Sequence, residues 1–376
     1  MAHFCQRTYQ PTGETFQAFV PTTIGVDFKF DVAQIKAFTA LDQLISDSQL
    51  AQDKGLAAYF YRFSAGGTSL RDGRQISRKR LALIGAQVPK LDIEARRLLM
   101  HSQAMQAVVD IGCSAQKFTL DTFKQMGEPI KNDKGNAGQF RQRQGWIGGT
   151  SPVDAYYVCP PAEFVEDLMT QLCDFINSDD IPATLQAAVA HMQMSIIHPL
   201  SDGNGRMARA LVEVILRRRK VVTQNNPPVF LYRLGLDDNE YVAAIKAFEQ
   251  EQYTPLYDFW LDANRWAEKQ LGQLQQMKNQ FVAQSQAKLH QIKVTDDSKI
   301  NALLTILFNQ PILTQQHVAK LLNVGKDEAL MYLNALTQSG VCQKHKLREP
   351  KDTVIWDAPA VFALIAQLDK QMFEAV

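Results

Sequence analysis

A charge of one sign is missing from this chain. Its 40 Lys and Arg are balanced by 39 Asp and Glu, for a formal net charge of +1. That balance argues against a dominant nucleic-acid or membrane-surface footprint, because both need a sustained positive field. Cysteine is scarce too: Cys5, Cys113, Cys159, Cys173 and Cys342 are scattered and odd in number. No CxxC pair or Cys/His cluster suggests zinc, so free thiols in a reducing compartment are the expectation. The N-terminus lacks a basic-then-apolar leader, and no apolar run approaches the length of a membrane span. These absences predict a cytoplasmic chain with no membrane partner.

What is present is a 376-residue chain, 46% hydrophobic, long enough for two or three domains with real cores. One stretch organises it: His198-Pro-Leu-Ser-Asp-Gly-Asn-Gly-Arg-Met-Ala-Arg209. Before it, Leu185, Val189, Met192 and Ile196 recur at helical spacing, and Pro182 suits a first turn. After it, Met207 to Lys220 reads as a helix, with Ala208, Leu211, Val212 and Ile215 on one face. Arg217 to Lys220 lie in its last turn, where positive charge complements the macrodipole. The stretch is therefore predicted to be a loop closed by a helix N-terminus.

The first turn of a helix leaves backbone N–H groups unpaired, and these attract anions, phosphate above all. Gly203 and Gly205 allow close approach to the backbone. Arg206 and Arg209 sit three apart, so both guanidinium groups emerge on one side. Planar forks suit phosphate oxygens better than lysine does. Asp202 adds a hard oxygen ligand, suited to a magnesium ion that also binds phosphate oxygens. His198 is the group here that shuttles protons near neutral pH. A Gly-Asn-Gly loop alone is usually a turn, and a lone His before Pro is usually structural. Together these residues describe phosphate-ester chemistry.

The stretch resembles the signature of Fic-domain protein adenylyltransferases, His-Pro-Phe-x-Asp/Glu-Gly-Asn-Gly-Arg-x-x-Arg. One position departs: Leu200 replaces the phenylalanine that anchors the loop, a swap expected to keep the burial. The resemblance extends over roughly residues 90–263. It implies a mainly helical core with a β-hairpin flap, and transfer of AMP from ATP to a Tyr, Ser or Thr hydroxyl of a target protein, the chain itself included. It makes His198 the catalytic base and Asp202 the magnesium ligand. Nucleotide contacts then come from Asp202, Gly203, Asn204, Gly205, Arg206, Met207, Ala208 and Arg209.

Other segments align with the family less tightly. Residues 1–28 look extended, and a helical pattern follows from Asp31. Many members carry an inhibitory glutamate before the core, which pairs with the last arginine of the signature; in Tyr61 to Thr68, Gly66 stands at that place, so the device is expected to be lost. The run from Gly138 to Gly149, followed by Ala155 to Val158, reads as a hairpin. It resembles the family's flap, with Ile147, Gly148 and Gly149 beside the target, held by strand addition. Tyr241, on a helix predicted over 231–247, is the counterpart of a tyrosine that encloses adenine. Trp266 to Ile292 reads as an amphipathic connecting helix.

Beyond it, helices over 314–322 and 326–339 and a two-stranded wing over 341–356 resemble a winged helix. Its second helix opens with Lys326, Asp327 and Glu328, a poor match for DNA phosphates. The wing is basic (Lys344, Lys346, Arg348, Lys351). A packing or homodimer role ranks above DNA binding.

The expected organisation is an N-terminal helical extension (1–89), a catalytic core (90–265), a linker helix (266–295) and a winged-helix-like domain (296–376). Two rivals stand beside adenylyl transfer. One is a relative moving another phosphorylated group; a phosphorylating subgroup carries lysine where Gly205 stands, which argues against it. The other is a winged-helix DNA-binding regulator whose Fic-like region only senses nucleotide.

Overall fold

The computed structural model describes residues 2–24, 30–47, 77–88, 93–130, 138–223, 238–292, 298–348 and 352–374. The chain opens on a β-hairpin, β1 (His3–Tyr9) and β2 (Glu14–Val20), then α1 (Val32–Ser46), α2 (Arg78–Gly85), α3 (Ile93–Ser114) and α4 (Leu120–Gly127). A second, short hairpin follows, β3 (Trp146–Ile147) and β4 (Tyr157–Val158). Then come α5 (Ala162–Asn177), α6 (Ala183–Ile197), α7 (Asn204–Arg218), α8 (Asp238–Glu249) and α9 (Thr254–Gln291). The chain closes with α10 (Ser298–Asn309), β5 (Ile312–Leu313), α11 (Gln315–Leu322), α12 (Lys326–Gln338), β6 (Gln343–Lys346), β7 (Val354–Asp357) and α13 (Pro359–Glu374). The architecture is mainly α.

Two compact units result, one from Met1–Ser48 with Gln103–Arg265, the other from Gln49–Ser102 with Trp266–Val376. Residues 1–48, expected as part of a separate extension, therefore belong with the signature helices. Their first segment is a paired hairpin rather than merely extended chain, in register from His3↔Val20 to Tyr9↔Glu14.

The first unit is built around α6. All its residues but Ser195 are buried, and a helix covered all round must sit at the centre of its domain. It packs against α1, α5 and α7. Its N-terminus has no cap of its own, since Pro182 precedes it. Asp42 of α1 takes that role: its carboxylate accepts from the N–H groups of Ala183 (2.7 Å) and Thr184 (2.9 Å) and from the Thr184 hydroxyl (2.6 Å). A carboxylate there also complements the positive end of the helix dipole. Fully buried Gln186 donates to the last carbonyls around α5, Phe175 O and Ser178 O (both 2.7 Å), and accepts from Arg219 (2.9 Å).

In the second unit, antiparallel strands lie in the order β5-β7-β6. Ala82, Ala86 and Val88 form a core cluster with Ile312 and Ile355. Thr314 caps α11 through His317 N–H, and Asn323 ends it in the left-handed conformation (φ 52°). Helix α12 opens with Asp327 and Glu328. No helix among the described residues is long and apolar enough to cross a membrane.

Candidate active site

The signature loop runs from the C-terminus of α6 to the N-terminus of α7. Helix α7 begins at Asn204, three residues before the predicted start at Met207. Gly203 makes this possible. It caps the helix at φ 89°, a conformation costly for a residue with a Cβ, and a Cβ there would meet Ile130 Cδ1 at 3.2 Å. Gly203→Ala should therefore lower stability by about 1–2 kcal/mol. Thermal unfolding checks it, and an unchanged Tm would show that the turn relaxes.

No side chain caps this N-terminus. Its first N–H groups have no intrahelical partner and are oriented to receive an anion. Asn204 is 2% exposed, and its amide closes the loop on itself: Oδ1 accepts from Leu200 N–H (2.8 Å) and Nδ2 donates to Leu200 O (2.7 Å). Its contribution to an anion is thus its backbone. Leu200 is 6% exposed, so the phenylalanine-to-leucine difference keeps the anchor buried.

Asp202 is exposed. Oδ1 accepts from Gly203 N–H (2.7 Å) and Oδ2 lies 3.2 Å from the Arg206 guanidinium. One exposed carboxylate suits magnesium, which keeps several waters and shares phosphate oxygens rather than needing an all-protein cage. No group of three or more potential metal-ligating side chains occurs among the described residues, so substrate phosphates would have to complete the shell. Arg206 and Arg209 are both partly buried on the first two turns of α7. Met207 and Ala208 are fully buried, and Met207 N–H bonds Gly203 O (2.9 Å). These two hold α7 in the core instead of presenting side chains to a ligand.

His198 ends α6 in the left-handed conformation, φ 51° and ψ 53°, unusual for a residue other than glycine. A helix end leaves carbonyls orphaned, and each carbonyl from Met194 to Pro199 has an identifiable partner. Met194 O accepts from His198 N–H (3.2 Å), and Ser195 O lies 3.2 Å from His198 Nδ1. Ile196 O accepts from the Tyr157 hydroxyl (2.9 Å). Ile197 O and His198 O accept from the Arg141 guanidinium (3.2 and 2.9 Å), and Pro199 O from Arg141 N–H (2.8 Å). Four of these six partners come from Arg141 and Tyr157, two residues that sequence reasoning did not single out. Their acceptors are backbone carbonyls, which leave no side-chain signature in a sequence.

Burial pushes the His198 pKa below the ordinary 6.5, opposed by the Ser195 carbonyl; the Arg141 charge lowers it further and Asp202 raises it. The imidazole is therefore neutral at pH 7, as a general base must be. The Ser195 contact favours Nδ1 as the protonated nitrogen and leaves Nε2 as the acceptor.

The β3–β4 hairpin pairs Trp146↔Val158 and Ile147↔Tyr157. Ile147 is 43% exposed and Tyr156 91% exposed. Gly148 and Gly149 both have positive φ (73° and 66°), and a Cβ on Gly148 would run into the Tyr156 ring. Asp154 closes the connecting loop, accepting from the N–H groups of Thr150 (2.9 Å) and Ser151 (2.7 Å) and from both hydroxyls. These bonds, Thr150 N–H foremost, hold its carboxyl well below the carboxylate range. The N-terminal hairpin packs here: Phe19 stacks edge-on to Tyr157 and Tyr9 to Trp146.

Tyr241 lies on α8. It is 4% exposed, and its hydroxyl lies 2.8 Å from His191 Nε2, about two helical turns before His198. Trp260 and Phe259 pack beside this pair. The Tyr241 ring is thus part of the core packing between α6 and its neighbours. The segment containing Gly66 lies outside the described residues.

An uncapped helix N-terminus, an exposed carboxylate, two partly buried arginines and a partly buried histidine on a helical fold suit a phosphate-bearing ligand. Residues 117–216 match the model of the Fic/DOC family. It is 32% identical over 102 residues to protein adenylyltransferase fic-1 of Caenorhabditis elegans, covering 26% of this chain and 18% of that one. It is 28% identical over 178 residues to protein adenylyltransferase Fic of Drosophila erecta, covering 44% of this chain and 33% of that one. The chain thus spans a minor part of these relatives' lengths. A Fic family protein from Desulfovibrio desulfuricans G20 shares the fold, with a TM-score of 0.55 at 16% identity over 88% of this chain and 97% of that one.

Proposed function

We propose that this chain is a protein adenylyltransferase, moving AMP from ATP to a hydroxyl of a target protein and releasing pyrophosphate. The observation that carries the reading is the intact His198–Arg209 loop, with a partly buried imidazole, its pKa lowered, ahead of an uncapped helix N-terminus. His198 takes the proton of the attacking hydroxyl at Nε2 as the oxygen bonds the α-phosphorus and the bond to the pyrophosphate oxygen breaks. The N–H groups opening α7 stabilise the charge that develops there. Arg206 and Arg209 hold the β- and γ-phosphates, setting the leaving group in line with the nucleophile. Magnesium, when bound at Asp202, neutralises phosphate charge. The flap from Ile147 to Gly149 receives an extended target segment by strand addition. The names of the matched relatives support this reaction.

Mass spectrometry of the protein with ATP, magnesium and candidate targets tests it, by an added AMP on the target or on the chain. The pH dependence gives a second check. Because His198 must be neutral and its pKa lies below 6.5, activity should be retained below that pH before its acid limb falls. An acid limb above 6.5 would assign the base to another group.

The DNA-binding alternative has less support. Among the wing's basic residues, Lys346 pairs with Asp352 (2.6 Å) and Lys344 stacks on Trp356. Helix α12 presents Asp327 and Glu328 in its first turn. We read this module as winged-helix-like, with packing or self-association its role. The free state of Cys5, Cys113, Cys159, Cys173 and Cys342 supports a reducing, cytoplasmic setting.

A further inference from the structure

We propose that Arg141 is a positioning residue that couples the flap to His198, so that a target held on one is registered against the base on the other. This deepens the transferase reading and, for its kinetic arm, rests on it.

The argument begins with an oddity of burial. Arg141 is 6% exposed, and a buried guanidinium is costly unless its donors are matched. All three nitrogens are. Nε donates to His198 O (2.9 Å) and one terminal nitrogen to Arg143 O (2.9 Å). The other donates to Pro160 O (2.6 Å) and Ile197 O (3.2 Å). One rigid fork thus grips three pieces of chain: its own loop, the residues just after β4, and the end of α6. Its N–H adds a bond to Pro199 O (2.8 Å).

This grip fits the local electrostatics. Carbonyls at the C-terminus of α6 carry the negative end of the dipole, where a cation is stabilising. It also accounts for His198 resting in a left-handed conformation, because Arg141 bonds the carbonyls on both sides of that residue and its own. The flap side is tied as firmly. Gln144 donates to Cys159 O (2.6 Å), Cys159 N–H to Gly145 O (3.1 Å), and Tyr157 to Ile196 O (2.9 Å). The flap therefore acts as the C-terminal cap of the helix that ends in the base.

The nucleotide loop is anchored separately, through Asn204 and Leu200. Disturbing Arg141 should thus misplace His198 while leaving the phosphate site assembled. Lysine keeps the charge, but its single ammonium cannot span the same carbonyls. Arg141→Lys should lower kcat by about tenfold to a hundredfold, since a displacement of ~1 Å at a reacting group has that scale. KM for ATP should move less than about threefold. Charged and titratable groups facing the pair are Asp202 near His198, and Glu163, Tyr157 and Cys159 near Arg141.

The test compares wild type, Arg141→Lys and Arg141→Met by steady-state kinetics, thermal unfolding and NMR of labelled histidine rings. His198→Ala assigns the His198 signal. The expected result is a kcat loss without an ATP penalty, and a His198 ring signal displaced while signals of histidines far from the loop stay put. The NMR arm needs no activity, so a wild type inert toward AMP transfer would sink the transferase reading and still test the coupling. A folded Arg141→Lys with unmoved His198 signals, or with kcat and ATP affinity falling together, would overturn it. Unfolding of both variants would overturn it also, by assigning Arg141 to stability alone.

Discussion

Replacing His198 with alanine should lower AMP transfer by about 10²–10⁴-fold, the usual contribution of a positioned general base, while ATP affinity changes less than about threefold. The asymmetry follows from the site's construction. His198 belongs to the end of α6 and is held by Ser195 and Arg141. The phosphate-facing N–H groups belong to α7 and are set by Gly203 and by the Asn204–Leu200 clamp. Removing the imidazole deletes the proton acceptor without touching that clamp. Isothermal titration with ATP, beside the rate of target labelling, separates the two effects. A loss of ATP affinity matching the loss of rate would make His198 a nucleotide ligand and leave the base unassigned.

Asp202→Ala should cost about 10²–10³-fold in rate, because a metal at a phosphoryl centre supplies several kcal/mol of charge stabilisation. Here the variant has a second expected signature. Asp202 also holds Arg206 at 3.2 Å, so its removal should leave ATP binding weaker and insensitive to added magnesium. The decisive comparison is the ATP dissociation constant with magnesium and with chelator, in both proteins. Wild-type rates from the variant in chelator would remove Asp202 from the site altogether.

Legibility of the site tracked how locally its parts are encoded. His198 to Arg209 are contiguous, so loop, helix N-terminus and side-chain chemistry could be read together. Helix α7 starts at Asn204, three residues before the Met207 that the sequence pattern predicts. Glycines at 203 and 205 look like helix breakers, yet the first is the cap and the second lies in the first turn, where N–H groups have no intrahelical partner in any case. Tyr241 shows the opposite problem. A tyrosine on a helix reads the same whether it faces a ligand or the core, and here it lies against His191 and Phe259. Residues 3–20 read as extended chain because their pairing partners are each other, across the Tyr9–Gly13 turn.

By itself, the amino-acid sequence determined that a helix would end at a histidine and another would begin beside a carboxylate and two arginines. Helical periodicity, glycine placement and side-chain acidity are properties of short segments, and a string of neighbouring residues carries them in full. Only the tertiary structure decided what holds that histidine in place. Its neighbouring carbonyls are matched by Arg141 and Tyr157, distant in sequence and brought close by folding. Backbone acceptors are the same at every position, so no pattern of side chains can announce which arginine will reach them.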